Sequence, residues 1–85
     1  MSTMNTDSLT VYTKPGCVQC TATYRALDAK GIPYDVVDLS ENDTALEYVK
    51  QLGYLSAPVV VVDDQEHWGG FRIDLIDQLA ARLAE

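Results

Sequence analysis

Leu9-Thr10-Val11-Tyr12-Thr13-Lys14-Pro15-Gly16-Cys17-Val18-Gln19-Cys20 is the stretch whose reading decides the fold of this chain. Leu9 to Thr13 is β-branched and aromatic, which suits a strand. Pro15-Gly16 breaks it. From about Cys17 to Lys30 the chain has no Gly or Pro, and Cys20, Tyr24 and Leu27 recur at helical spacing. Gly31 fits the position just past a helix end. The only two cysteines of the chain therefore fall where a turn becomes a helix.

Outward from this unit the pattern continues. Pro33 starts a second strand over Tyr34 to Asp38. Ser40 suits an N-cap, and Asp43 adds negative charge to the first turn that follows. A second helix then runs to about Leu52, with Ala45, Leu46, Val49 and Leu52 on one face and Gly53 as its stop. Val59-Val60-Val61-Val62 is too short for an ordinary helix and wholly β-branched, so it reads as a central strand buried on both faces. Asp63-Asp64-Gln65 turns the chain into a short return strand, Glu66-His67-Trp68, which Gly69-Gly70 ends. A last helix starts near Arg72, with Ile73, Ile76, Leu79, Ala80 and Leu83 as its apolar face. The order is β-α-β-α-β-β-α. A right-handed crossover makes the first two strands parallel, and the last two form an antiparallel hairpin. The expectation is an α/β fold, a four-stranded mixed sheet flanked by three helices.

The chain has 85 residues, enough for one domain. Met1 to Ser8 is too polar to anchor itself and reads as a flexible tail. Residues 9–85 make the single domain. A domain of this size buries only roughly 60% of its unfolded surface, so the core must be efficient. The hydrophobic content of 47% is consistent with that. Thirteen acidic and six basic residues leave a formal charge of −7. No basic patch or arm is available for nucleic acid. No apolar run approaches the roughly 20 residues that span a bilayer. The polar N-terminus has no apolar core of a secretory signal, so a cytoplasmic location is the default expectation. In that compartment thiols are normally reduced and working rather than structural.

Two thiols three positions apart, after a strand and at the start of a helix, read as a redox motif of thioredoxin type. The attacking species in thiol–disulfide exchange is the thiolate. Cys17 would sit at the first turn, where free N–H groups and the helix dipole favour negative charge. Lys14 adds a cation nearby. Cys20 lies nearly one turn deeper on the core side. The asymmetry makes Cys17 the attacking thiol and Cys20 the resolving one. A zinc site and a permanent disulfide are the competing readings. Zinc needs four ligands, and the chain offers Cys17, Cys20 and His67. A cluster shared between two chains through Cys17 is the corresponding non-enzymatic alternative.

Two further segments frame the pair. Ala57-Pro58 reads as an ordinary proline at a strand start or as a cis proline facing the Cys17 turn. Lacking an N–H, Pro58 leaves neighbouring backbone groups free to pair with an extended partner segment. His67-Trp68-Gly69-Gly70-Phe71-Arg72 holds the only Trp and the only Phe. These two are either core residues or contact residues beside a Gly-Gly turn. Arg72 would stack on Trp68 or pair with an acid, and His67 reads as an exposed strand residue.

On Val11 to Cys20, Ala57-Pro58-Val59 and Trp68-Gly69-Gly70-Phe71-Arg72, the chain resembles the NrdH-redoxins, glutaredoxin-like members of the thioredoxin superfamily. The resemblance runs from about Leu9 to Leu83. It implies a thioredoxin/glutaredoxin-like fold and a small dithiol–disulfide oxidoreductase. It further implies electron donation to the large subunit of class Ib ribonucleotide reductase and recharging by thioredoxin reductase. No cofactor or metal would be bound, electrons arriving from NADPH through that reductase's flavin, and the protein would be a monomer without membrane or nucleic-acid partners. The redox pair maps to Cys17 and Cys20, supported by Lys14 and a cis Pro58. Val18, Gln19, Ala57, Val59, Trp68, Gly69, Gly70, Phe71 and Arg72 would meet the partner. Two positions depart from the family: Gly69 stands where Ser is common, and Ile73 where Pro is common. The Gly-Gly pair is closer to glutathione-dependent glutaredoxins. Phe71, Arg72 and Ile73 then occupy the stretch where those proteins hold the tripeptide's ammonium group, so glutathione use is the alternative rather than the main expectation.

Overall fold

A computed structural model describes residues 9–63 and 65–83. The proposed tail at residues 1–8 lies outside the described residues, as does Asp64 of the expected turn. The elements are β1 (Leu9–Thr13), α1 (Val18–Ala29), β2 (Tyr34–Asp38), α2 (Asp43–Gln51), β3 (Val59–Asp63), β4 (Glu66–Gly69) and α3 (Ile73–Leu83). The sheet runs β2-β1-β3-β4. β1 and β2 are parallel, while β3 is antiparallel to both β1 and β4. This is the mixed four-stranded α/β architecture that the periodicities predict.

β3 is interior, and its side chains alternate between two cores. Val60 packs with Leu9, Val11, Leu27, Ile32, Trp68, Ile76 and Leu79. Val59 and Val61 pack on the other face with Leu39, Ala45 and Val49. Val11, Val59 and Val60 are completely buried. Each such burial stabilises by about 1.5–3 kcal/mol, which is why four consecutive valines specify a central strand. Val62 is only half-buried, because the ladder to β4 shifts register between Val61 and Asp63. The Asp63 carboxylate then accepts from the N–H groups of Gln65 and Glu66, both at 2.8 Å, closing the turn.

Two local expectations are corrected. The N-cap of α2 is Asn42, whose Oδ1 accepts from Ala45 N–H at 2.9 Å. Ser40 donates both its N–H and its hydroxyl to Asp38, at 2.8 and 2.6 Å, so it is consumed in the preceding turn. In α3 the buried arc centres on Ile76 and Leu79, with Leu75 and Ala80 packed beside them. Ile73 and Leu83, at the two ends of the helix, stay nearly half exposed.

Candidate active site

The redox turn is built from the end of β1 and the start of α1. Gly16 has φ +72°, a left-handed conformation in which a Cβ is strained, and it brings the chain into the helix. Cys17 is the N-cap of α1, with extended dihedrals of φ −94° and ψ 107°. Its Sγ accepts from Cys20 N–H at 3.1 Å, so the sulfur occupies the place that a serine oxygen takes in an ordinary cap. A thiolate there gains a charge-assisted hydrogen bond and the positive end of the helix dipole. Cys20 is 1% exposed, whereas Cys17 is half-buried. The two are joined as a disulfide with their Cα atoms 5.2 Å apart. Cys17 is thus the more accessible of the two residues. Thr23, fully buried on the next turn, donates its hydroxyl to the Gln19 carbonyl at 2.9 Å.

The Ala57–Pro58 peptide is cis, and Pro58 is fully buried. Its carbonyl accepts from Gly70 N–H at 2.8 Å. Gly70 has φ +80°, and a Cβ on it would meet Gln19 Oε1 at 3.5 Å. That same Oε1 accepts from Phe71 N–H at 3.2 Å. Gln19, Gly70, Phe71 and Pro58 thus form one connected patch that starts inside the Cys17–Cys20 loop.

The structure separates the partner-facing candidates into two groups. Val18 is 82% exposed, and Gln19, Phe71 and Arg72 are exposed too. Val18 and Phe71 line an open groove with Thr21, Ala22, Arg25 and Ala26. Ala57, Gly69 and Gly70 are half-buried. Val59 and Trp68 lie in the core instead. Val59 sits on an interior strand, facing α2. Trp68 pairs with Val60 across the β3–β4 ladder, so the indole shares that valine's buried face. Trp68 Nε1 has no hydrogen-bond partner. Lys14 is exposed and lines a cavity of about 250 Å³ with Ala57 and Lys50.

Arg72 pairs with Asp74 through two hydrogen bonds, Nε to Oδ1 at 3.1 Å and Nη2 to Oδ2 at 2.9 Å. The guanidinium holds the Asp74 carboxyl below its usual value, and the carboxylate raises Arg72 in turn. His67, expected to be exposed, is half-buried, with its Nδ1 2.7 Å from the Tyr54 hydroxyl. Sequence reasoning missed this pair and also Leu55, which is 91% exposed. The position of Leu55 two residues before Ala57-Pro58 was the available signal. Among the described residues no group of three or more His, Cys, Asp or Glu side chains could hold a metal ion. Nor is any described helix long and apolar enough to cross a membrane.

The glutaredoxin family model matches residues 9–68. The chain belongs to the glutaredoxin family. Within that family it is similar to the glutaredoxin-like protein NrdH of Salmonella typhimurium, with 38% identity over 72 residues, 85% of this chain and 88% of that protein. The gene 56 protein of Mycobacterium phage D29 is 44% identical over 80 residues, 93% of this chain and 88% of the phage protein. In three dimensions the chain resembles NrdH-redoxin from Escherichia coli, with a TM-score of 0.79 and 36% identity over 85% of this chain and 93% of that one. That protein is described as glutaredoxin-like with a thioredoxin-like activity profile. This chain is accordingly an NrdH-like glutaredoxin, a thiol–disulfide oxidoreductase whose redox pair is Cys17 and Cys20.

Proposed function

We propose that this NrdH-like redoxin is a cytoplasmic electron carrier, reduced by thioredoxin reductase and oxidised by class Ib ribonucleotide reductase. The likeness to NrdH proteins supports the partners, and the site chemistry supports the direction of attack. The Cys17 thiolate attacks one sulfur of the partner's disulfide. That S–S bond breaks, and the departing sulfur takes up a proton. Cys20 then loses its proton and attacks Cys17 Sγ, which releases the partner's second sulfur as a thiol. Two electrons pass to the partner, and Cys17–Cys20 is left as a disulfide. NADPH reloads the pair through the reductase's flavin, so the redoxin itself needs no bound cofactor.

The observation that carries the choice of donor is the Arg72–Asp74 pair. Glutathione's ammonium group needs a free carboxylate beside the glycine turn. Asp74 is the first carboxylate after Gly69-Gly70, and both its oxygens are bound to Arg72. The test is an NADPH-coupled assay with two electron sources. Thioredoxin reductase should reduce the oxidised protein rapidly, and glutathione with its own reductase should do so slowly. The reverse ranking would overturn the proposal in favour of a glutathione-dependent glutaredoxin.

A further inference from the structure

The buried face of α1 is Cys20, Thr23 and Leu27. Thr23 is the only described Ser, Thr or Tyr that is fully buried. Its hydroxyl donates to the Gln19 carbonyl at 2.9 Å, four residues back along the helix. A helical threonine commonly satisfies its hydroxyl in this way, so the bond alone needs no function. Its acceptor sets it apart. The Gln19 carbonyl and the Cys20 N–H belong to one peptide group, and that N–H donates to Cys17 Sγ at 3.1 Å. Two hydrogen bonds therefore meet on one planar amide, with the Thr23 hydroxyl at its oxygen end and the sulfur at its hydrogen end.

Amide resonance couples the two ends. A donor on the oxygen draws charge toward it and leaves the N–H more positive, so each bond strengthens the other. It also restrains the plane of the amide, and with it the direction of the N–H. In the disulfide the sulfur is a weak, neutral acceptor. After reduction a Cys17 thiolate is a charged one, and the coupling counts for more. Packing by itself does not call for a hydroxyl here, because valine has the same shape and carries nothing polar to satisfy. Thiol exchange takes no atom from Thr23. We propose that Thr23 is a positioning residue for the Cys17 thiolate, its hydroxyl aligning and polarising the Cys20 N–H through the Gln19–Cys20 peptide. This rests on the preceding section only in taking Cys17 as the attacking thiol.

The test is the pH dependence of alkylation. Protein reduced with dithiothreitol and freed of it is treated with iodoacetamide across a pH series. Peptide mapping by mass spectrometry follows Cys17 and Cys20 separately. Thr23→Val keeps the shape and removes the hydroxyl. Its Cys17 midpoint should rise by about 0.2–0.6 pH unit, roughly a 1.5-fold to fourfold loss of acidity, the share that coupling through one amide adds to a charge-assisted hydrogen bond. The rate at high pH, where thiolate formation is complete, should not fall. Thr23→Ser keeps the hydroxyl and loses a buried methyl, so it should melt at a lower temperature yet titrate with the parent. A role confined to packing would move the melting temperature and leave the midpoint alone. An unshifted midpoint in Thr23→Val, or an equal shift in Thr23→Ser, would overturn the proposal while Cys17 kept its role. Alkylation of Cys20 ahead of Cys17 in the parent would overturn the assignment of the attacking thiol, and the proposal with it.

Discussion

Phe71 N–H donates to Gln19 Oε1 across a separation of 52 residues, joining the redox loop to the turn between β4 and α3. The side chain between the two cysteines is thereby the link from the chemistry to the surface beside it. Gln19→Ala should lower stability by about 0.5–1.5 kcal/mol, the net weight of one hydrogen bond, at the lower end because the bond is exposed. Denaturant unfolding of the oxidised protein measures this. Gln19→Glu keeps an acceptor for Phe71 and should be stable. Its added negative charge beside Cys17 disfavours the thiolate, so the pH–rate profile of attack should move to higher pH.

The unequal burial of the cysteines predicts unequal variants. Cys17→Ser should reduce disulfide exchange to background. Cys20→Ser should still attack and then stall, leaving a mixed disulfide visible by mass spectrometry under non-reducing conditions. Normal turnover by Cys20→Ser would show that the roles are wrongly assigned.

Arg72 and Asp74 predict a change of electron donor. Arg72→Ala frees the Asp74 carboxylate, and glutathione-driven reduction should become faster than in the parent protein. The pair also has a definite pH sign. The folded pKa of Asp74 is depressed below its usual 3.8, so the stabilisation is present above the unfolded value and is lost as pH falls through the folded one. An acid titration of melting temperature should show the parent losing its small advantage over Arg72→Ala in that window. Both groups are exposed, so high salt should weaken the advantage.

Trp68 carries a buried N–H without a partner, and this separates two substitutions. Trp68→Ala empties a large core site and should cost about 3–5 kcal/mol. Trp68→Phe leaves a smaller gap and removes the unpaired donor, a group that costs about 1–3 kcal/mol when buried, so it should be far milder. Thermal unfolding distinguishes them. In both variants that fold, Cys17 should still exchange with a small disulfide.

Gly70→Ala tests the other end of the Gln19 link. A side chain at φ +80° costs about 1–2 kcal/mol, and the new methyl would sit within contact of Gln19 Oε1. Stability should fall, and exchange of the Phe71 amide with deuterium should speed up.

The element order was legible because it rests on local signals. The valine run could only be a short buried strand, and the Gly-free stretch after Cys17 could only continue as a helix. Errors fell where two neighbours compete for one partner. Ser40 and Asn42 both suit an N-cap, and the choice depends on Asp38, which binds Ser40. The resemblance placed Trp68 and Val59 at the partner face, whereas the valine run already marked Val59 as buried and left Trp68 open between core and contact. The burial of Trp68 follows from its pairing with Val60 across the β3–β4 ladder, which composition does not reveal.

By itself, the sequence determined the strand–turn–helix that holds Cys17 and Cys20, and with it the redox chemistry. Helix periodicity and N-cap position are properties of a few consecutive residues. Tertiary structure alone decided what surrounds the pair. Gln19 reaches Phe71, Pro58 reaches Gly70 and Tyr54 reaches His67 only because β4 pairs with β3 in one register. A slip of one residue would turn every β4 side chain to the other face of the sheet.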